Sequence, residues 1–136
     1  MPDSVRRGTR IAHVGLAVRS VTDLHAFYRN VLGMSEVELA DSDGALIAGY
    51  AAGESLVELL ESSQPGSPIG RFMARRGPGI HHICFAVDDI EGTLGKCREA
   101  GIRLIDDTPR IGAEGKRIAF LHPSSTGGIL IELSEH

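Results

Sequence analysis

The sequence lacks the features that mark several large classes of protein. Its 136 residues include no tryptophan and only 4% aromatic residues, and its formal net charge is −4. A nucleic-acid-binding surface needs a basic stripe to neutralise phosphates, whereas the arginines and lysines here are scattered along an acidic chain. No apolar run approaches the roughly 20 residues of a membrane span. We therefore expect neither a nucleic-acid nor a membrane partner, and we predict a cytoplasmic protein.

Cysteine is scarce as well. Cys84 and Cys97 are the only two cysteines, and they are too far apart for a C-x-x-C metal or redox motif. Each lies in an apolar pattern, so we expect two reduced core residues. With 42% hydrophobic and 24% charged residues, the rest of the composition is that of an ordinary globular protein. The length predicts one domain with a core of its own.

What the sequence does contain is a duplication. The segment His13–Val18 aligns with His82–Val87, so that one histidine opens the same motif in each half. Each half also closes on a strand-like segment that contains a glutamate, Glu58 in the first and Glu132 in the second. Because side chains alternate along a strand, each glutamate can point away from its aliphatic neighbours. Two histidines and two glutamates thus occupy equivalent places.

Hydrophobic periodicity and turn residues predict the same order of elements in both halves. In the first half, Ser20 caps and Gly33 ends a helix over residues 21–32. The strands predicted there are 10–18, 35–39, 45–50 and 55–60. The second half is predicted as strand 80–87, helix 90–100, and strands 103–105, 117–122 and 128–133. A linker with a short helix over 69–76 joins the halves.

These elements predict an α+β protein. We expect a flexible N-terminal tail at residues 1–9 and a single domain over residues 10–136, built from two tandem βαβββ modules at 10–62 and 79–135. The loop at 108–116 is long and bears glycine, which favours a substrate-facing loop over a tight hairpin.

The repeated histidines and glutamates favour a metal site. If a pseudo-twofold axis brings His13, His82, Glu58 and Glu132 together, they supply two imidazole nitrogens and two carboxylates. This donor set suits a first-row divalent metal, and four ligands leave two octahedral positions for water or substrate. A single strand histidine is more often structural, but recurrence in both copies favours ligands, because burying an unpaired glutamate among aliphatic residues is costly.

The other histidines receive different predictions. His81 adjoins His82 in the strand and is expected to point to the opposite face, so we do not count it as a ligand. His122 stands at a strand end, where it either forms a hydrogen bond near the site or stabilises a turn. His25 and His136 are expected to be exposed to solvent.

Several motifs together carry a resemblance to a known family. With them the sequence resembles the vicinal-oxygen-chelate (glyoxalase/bleomycin-resistance) superfamily, and within it the methylmalonyl-CoA epimerases, over about residues 11–135. The segments are Gly79-Ile80-His81-His82-Ile83, Val57-Glu58-Leu59-Leu60-Glu61, Ser67-Pro68-Ile69, Pro109-Arg110-Ile111-Gly112-Ala113, Phe120-Leu121-His122-Pro123 and Gly127-Gly128-Ile129-Leu130-Ile131-Glu132-Leu133. The resemblance implies that the two modules form a half-barrel cleft, with His13, His82 and Glu132 as metal ligands and Glu58 as the fourth.

The resemblance also implies a reaction. It is a 1,1-proton transfer that interconverts (R)- and (S)-methylmalonyl-CoA through a metal-stabilised enolate, with Co²⁺ first among the candidate metals and Mn²⁺, Ni²⁺, Zn²⁺ or Fe²⁺ as alternatives. Two acid/base groups are expected, and Glu132 is one. In some relatives the other lies on the strand that here spans residues 45–50, which has no carboxylate. Glu58 in a dual role, Asp41, Asp43 or a metal-bound water remain open.

The partners follow from the same resemblance. An acyl-CoA is the expected substrate, Arg71, Arg75, Lys116 and His122 are candidate substrate-binding residues, and a homodimer is expected. A short basic run such as the one around Arg71 is more often the solvated face of a helix, so phosphate contact there is the minor option. The alternatives are an epimerase of another 2-substituted acyl-CoA, a glyoxalase-type isomerase, and a metal-free ligand-sequestering resistance protein. Four potential ligands argue against the last, which has no use for them.

Overall fold

The structure, a computed structural model, describes residues 8–136. Most of the tail predicted at residues 1–9 lies outside this range. The described residues divide into two compact units, one of residues 13–82 and one of residues 83–136 with residues 8–12. Within the described range, no helix combines the length and the apolar character that crossing a membrane requires.

The unit of residues 13–82 is a sheet with a helix on each face. Its strands lie in the order β2-β3-β4-β1, where β1 runs parallel to β4 and the other pairs are antiparallel. The elements are β1 (Arg10–Ala17, which begins in the other unit), α1 (Val21–Ala26), a π-helix (Phe27–Val31), β2 (Glu36–Val37), β3 (Ala45–Ala52), β4 (Ser55–Ser62), α2 (Pro68–Arg76) and the start of β5 (Gly79–Val87).

The two helices of this unit pack on opposite faces of the sheet. Tyr50 and Leu59 belong to the cluster that α1 covers, whereas Leu60, the next residue on β4, packs against Ile69 of α2. Alternation along a strand explains the division, because neighbouring residues point to opposite faces. The side chain of Ser67 accepts a hydrogen bond from the backbone N–H of Gly70 and caps α2. The helix predicted at 69–76 is therefore confirmed to within one residue.

The first predicted helix is wrong in its second half. The α-helix ends at Ala26, and residues Phe27–Val31 form a π-helix in which the Leu32 backbone N–H donates to the Phe27 carbonyl at 2.9 Å. The wider turn rotates the side chains that follow, so Phe27, Val31 and Leu32 are 46%, 72% and 53% exposed. The apolar spacing of these three residues, taken as a continuous α-helix, predicts that they share one buried face.

The second unit repeats the arrangement with one helix. Its strands lie in the order β5-β8-β7-β6, with β5 parallel to β8. Ile90 and Leu94 of the helix pack on the sheet beside Leu133, and the half-buried Cys97 joins them. Both cysteines are free thiols, as predicted. The elements are β5 (Gly79–Val87), α3 (Ile90–Glu99), β6 (Arg110–Ile111), β7 (Arg117–Leu121), a 3₁₀-helix (Pro123–Ser125) and β8 (Ile131–Glu135).

Two strand predictions and one loop prediction in the second unit need correction. Instead of a strand at 103–105 there is a single bridge between Leu104 and Leu121. The loop at 108–116 contains the short strand β6, which pairs with β7. The last strand begins at Ile131 rather than at Gly128, because Gly127 and Gly128 both have φ in the left-handed region, which interrupts an extended backbone.

A carboxylate of β4 caps α1, and a carboxylate of β8 caps α3. Glu61 Oε1 accepts a hydrogen bond from the Val21 backbone N–H at 2.8 Å, and Glu135 Oε2 accepts one from the Ile90 N–H at 3.1 Å. Each lies three residues after the glutamate predicted as a ligand. The odd spacing places the two carboxylates of each strand on opposite faces. Glu61 and Glu135 therefore face the helix, whereas Glu58 and Glu132 point to the other face of the sheet.

Candidate metal centre

Glu58 lies in the middle of β4, between two glycines. The strand register pairs it with Gly15 on β1 and with Gly49 on β3. Directly opposed residues share a face of the sheet, so neither neighbouring strand places a side chain beside the carboxylate. Glu58 is nonetheless only 3% exposed. Other residues therefore cover it from above the sheet.

His13 is the nearest of these groups along β1. It stands two residues before Gly15 and so points to the same face as Glu58. Its Nδ1 lies 3.1 Å from Glu58 Oε2, and both side chains are buried. A buried imidazole beside a buried carboxylate is the arrangement in which each group lowers the cost of removing the other from water.

His82 completes the group from the start of β5. Its Nε2 lies 2.9 Å from Nε2 of His13, and the two rings meet edge to face at an interplanar angle of 85°. The ring occupies the space that Gly15 leaves empty, because a Cβ on Gly15 would lie only 2.3 Å from Cε1 of His82. His82 is 5% exposed. The sequence therefore brings three of its four predicted ligands together within the unit of residues 13–82.

The donor set fits a divalent metal. One ligand atom from each of His13, Glu58 and His82 lies within 4.8 Å of the other two. The Nε2 atoms of His13 and His82 lie 2.9 Å apart, close enough for both nitrogens to bind one ion. Two imidazoles and a carboxylate are the donors that first-row divalent ions prefer. His13, Glu58 and His82 could hold such an ion.

Glu132 holds the place of Glu58 in the second unit. It is 5% exposed, and the register pairs it with Cys84 on β5 and Phe120 on β7. Its neighbours Ile131 and Leu133 pack with the cluster that α3 covers, so the carboxylate points to the other face. A carboxylate oxygen of Glu132 and the Cys84 sulfur lie within 4.8 Å of each other. Equivalent strands thus carry both glutamates on the face away from the capped helix.

His81 was expected to point away from His82, but the two side chains are in contact. Its Nδ1 lies 2.9 Å from Nδ1 of His82, and the two rings are nearly perpendicular, at 88°. The imidazole also meets the ring of Phe72 on α2 edge to face, with 5.1 Å between ring centroids. The two Nδ1 atoms are thus in contact although the side chains belong to adjacent strand positions.

Of the predicted substrate-binding residues, Arg71 and His122 form hydrogen bonds within the protein. Arg71 donates from its Nη1 to the Gly66 carbonyl at 2.6 Å, and Arg75 is exposed in the last turn of α2. Lys116 is half-buried in the turn before β7. His122 Nδ1 accepts a hydrogen bond from the Ser124 N–H at 3.0 Å, so this side chain has the turn-stabilising role.

The sequence suggested that His25 is simply exposed to solvent, but the structure gives its side chain a partner. Its Nδ1 lies 2.7 Å from the hydroxyl of Tyr50, which is fully buried. Burial raises the pKa of the Tyr50 hydroxyl above its ordinary value, and the negative charge of Glu36 and the neighbouring Tyr28 act in the same direction. This pair lies on the face of the sheet that α1 covers, since Tyr50 is adjacent in sequence to Gly49 on the ligand face.

The strand β3 has no acid/base group on the face of Glu58. Its residues on that face are Ala45, Ile47, Gly49 and Ala51. Of the two aspartates before the strand, Asp41 accepts a hydrogen bond from the Ile47 N–H at 3.0 Å, and Asp43 occupies the turn with a φ of 53°. Asp41 therefore stabilises the start of the strand.

Comparison with known proteins defines the class of protein. A family model described as the Glyoxalase/Bleomycin resistance protein/Dioxygenase superfamily matches residues 12–120, and the chain belongs to that superfamily. The fold agrees, because the chain superimposes on a methylmalonyl-CoA epimerase solved with methylmalonyl-CoA with a TM-score of 0.88, at 33% identity over 93% of this chain and 94% of that one. The predicted glyoxalase-like α+β fold of two βαβββ modules is confirmed.

Individual relatives show which enzymes of the superfamily this chain resembles. An ethylmalonyl-CoA/methylmalonyl-CoA epimerase of Cereibacter sphaeroides is 37% identical over 93% of this chain and 97% of its own length. The protein YqjC of Bacillus subtilis is 38% identical over 93% of this chain and 91% of its own length. The resemblance to the methylmalonyl-CoA epimerases, first seen in the sequence motifs, is thus confirmed over nearly the whole chain.

Proposed function

We propose that this protein is a metal-dependent epimerase that interconverts (R)- and (S)-methylmalonyl-CoA. The observation that carries the proposal is the buried group of His13, Glu58 and His82, in a chain whose relatives are epimerases of this substrate class. Two imidazoles and a carboxylate that converge in a buried site are the donors that a first-row divalent cation prefers, which supports a bound metal at this place.

The reaction needs a proton to leave and return at C2 of the acyl group. A bound divalent cation would supply positive charge where the thioester oxygen of the enolate gains negative charge. His13, His82, Glu58 and Glu132 are the proposed ligands, with Co²⁺ first among the metals. Glu132 is also the proposed acid/base on one face of the planar intermediate, since a buried carboxylate in reach of C2 can remove and return the proton.

The second acid/base is proposed to be Glu58. Inversion at C2 requires a group on each face of the enolate. β3 offers none on the ligand face, and the Asp41 carboxylate is engaged with the backbone of β3. Glu58 has two carboxylate oxygens, of which Oε2 faces His13. If Glu58 both binds the metal and transfers a proton, the epimerase reaction does not need an acid/base group on β3.

Further proposals concern binding and assembly. Arg71, Arg75, Lys116 and His122 are kept as candidate contacts for the acyl-CoA, of which Lys116, Arg71 and Arg75 offer positive charge for its phosphates. A homodimer in the cytoplasm, and a single domain whose modules span residues 10–62 and 79–135, also remain predictions. Size-exclusion chromatography with light scattering measures the oligomeric state.

The proposal is tested by measuring hydrogen exchange at C2 of the acyl group. The purified protein, loaded with Co²⁺, is incubated with methylmalonyl-CoA in D₂O, and deuterium in the recovered substrate is measured by mass spectrometry. Wash-in with racemisation supports the proposal. Absence of both with methylmalonyl-CoA, but wash-in with ethylmalonyl-CoA, would transfer the assignment to another 2-substituted acyl-CoA. Turnover of methylglyoxal with a thiol, without exchange, would replace it with a glyoxalase-type isomerase.

A further inference from the structure

Two residues outside the proposed ligand set surround the imidazole of His82. Three atoms along the nitrogen-bearing edge of the ring, Cε1, Nδ1 and Nε2, lie 2.3, 2.6 and 2.8 Å from the place where a Cβ on Gly15 would stand. Distances under 3 Å are shorter than carbon side chains tolerate, so any other residue at position 15 would displace the ring or the strand. The imidazole of His82 needs the bare backbone of Gly15.

Backbone conformation does not explain this glycine. Gly15 is absent from the glycines that adopt a positive φ, so an alanine there would keep its backbone dihedral angles without strain. The module does not require a glycine at this place either, because the duplication puts Cys84 in the same position of the second repeat, where its side chain is completely buried. What distinguishes position 15 is the ring that lies over it.

His81 acts on the same ring from its other side. Its Nδ1 is 2.9 Å from Nδ1 of His82, while Nε2 of His82 faces His13 at 2.9 Å. A histidine that binds a metal through one nitrogen typically holds its second ring nitrogen against a fixed partner, which sets the tautomer and the direction of the ring. His81 is such a partner for Nδ1.

The position of His81 is itself fixed by the core. Its ring packs edge to face on Phe72 of α2, and α2 is attached to the sheet through Ile69, which is 4% exposed. Phe72 packs against the same core cluster as Ile69. The contact series from the core to the proposed metal site thus runs through α2, His81 and His82.

We propose that Gly15 and His81 are positioning residues for His82, through which they direct its Nε2 toward the metal. The proposal rests on the proposed function, since it assumes that His82 is a ligand. Neither residue touches the cation, so both would act on metal affinity through the imidazole of His82. The expected loss on removing such a neighbour is on the order of 10- to 100-fold in metal affinity.

The first experiment is a double-mutant cycle with Co²⁺ as the probe. Co²⁺ affinity is measured by titration calorimetry for the wild type, Gly15→Ala, His82→Ala and the double variant. We expect Gly15→Ala to weaken binding at least tenfold in the wild-type background and to have no further effect when His82 is already alanine, because the clash is then gone. Equal affinity of wild type and Gly15→Ala, or the same loss in both backgrounds, would overturn the role of Gly15.

A matched control separates the clash from the general effect of adding a methyl group. Gly95 in α3 has no neighbouring atom within 4 Å of its added Cβ and no positive φ, so Gly95→Ala should keep the wild-type affinity for Co²⁺. A loss of affinity in Gly95→Ala as large as in Gly15→Ala would count against the proposal. The unfolding of each variant is followed in the presence of a chelator.

The second experiment tests His81 without the risk of a clash. In His81→Asn an amide oxygen takes the approximate place of Nδ1, whereas His81→Leu has no polar atom there. We expect His81→Leu to bind Co²⁺ about tenfold more weakly and to change the visible absorption of the bound Co²⁺, and His81→Asn to restore most of both. If the two variants behave alike, hydrogen bonding to His82 is not the function of His81.

The outcomes separate this inference from the proposed function. If the variants lose Co²⁺ affinity as expected but the wild type does not exchange deuterium at C2, the inference stands and the epimerase assignment fails. If the wild type exchanges deuterium but Gly15 and His81 can be replaced at no cost, the inference fails alone. Failure of the wild type to bind Co²⁺ would overturn both.

Discussion

The carboxylate of Glu61 accepts a hydrogen bond from the backbone N–H of Val21 at 2.8 Å and so joins β4 to the first turn of α1. We predict that Glu61→Ala lowers the free energy of unfolding by about 1 kcal/mol, because it removes a cap from an N-terminal N–H. Glu61→Gln keeps an acceptor and should cost less, about 0.3 to 1 kcal/mol for the lost charge. Urea denaturation measures both. Equal losses would show that charge, not hydrogen bonding, stabilises this helix.

The proposed acid/base role of Glu132 predicts that its replacement slows proton exchange at C2, whereas replacement of a nearby glutamate does not. Glu132→Gln should slow C2 exchange by at least about 100-fold, since a positioned general base contributes on the order of 10²- to 10⁴-fold. The matched control is Glu135→Gln on the same strand, whose carboxylate faces Ile90 and α3 instead. That variant should keep its exchange rate and lose some stability. Full exchange in Glu132→Gln would remove Glu132 from the chemistry.

Glu58→Gln separates the two roles proposed for Glu58. Glutamine keeps an oxygen donor but does not transfer protons as a base. We expect the variant to bind Co²⁺ less than tenfold more weakly and to exchange the C2 proton at least about 100-fold more slowly. Calorimetry and mass spectrometry measure the two quantities on the same sample. Exchange that falls only in proportion to metal occupancy would make Glu58 a ligand alone.

Removing the metal should destabilise the fold. A ligand present at 100 times its dissociation constant stabilises the native state by about 2.7 kcal/mol. We therefore expect Co²⁺ at that excess to raise the free energy of unfolding by about this amount over the chelator-treated protein. His13→Ala, which removes one of the buried imidazoles, should show no such gain. An equal gain in the variant would place the bound Co²⁺ elsewhere.

The raised pKa of Tyr50 predicts that the folded protein loses stability at alkaline pH. Burial, with help from Glu36 and Tyr28, holds its pKa above the ordinary value of 10.0. Above about pH 10 the unfolded chain releases the phenolic proton while the folded chain keeps it, so the unfolded state binds fewer protons and stability falls as pH rises. Tyr50→Phe should flatten this fall. Parallel curves for wild type and variant between pH 9 and about 11 would contradict the shift.

The elements that the sequence predicted well are those with local chemical markers. Ser67 and Gly77 delimit α2 through a side-chain cap and a positive φ, both encoded within a few residues. The π-helix was missed because Phe27 and Val31 keep the apolar spacing of an α-helix, and nothing local indicates a bond from i to i+5. The short strand β6 was missed because two residues carry too little alternation to mark a strand, although its partner β7 lies only a few residues further along the chain.

The candidate site was predictable where the duplication marked it. Repetition singled out His13, Glu58 and His82, and the structure brings these three together. The supporting residues carry no such mark. Glu61 looks like one more polar residue of a strand, because its contact with Val21 is tertiary. His81 looks like a side chain on the wrong face, because alternation along a strand does not lead one to expect contact between adjacent residues.

The glycines that flank Glu58 suggest a way to sort sequences. The fold itself tolerates bulk at such places, since Cys84 and Phe120 flank the equivalent glutamate. A glycine-free version of positions 15 and 49 would be compatible with the architecture but not with a histidine laid over β1 or with Leu39 laid over β3. Among chains of this superfamily, a glycine at position 15 is therefore a better diagnostic of a histidine ring over β1 than the ligands are, because histidine and glutamate occur in strands for many reasons.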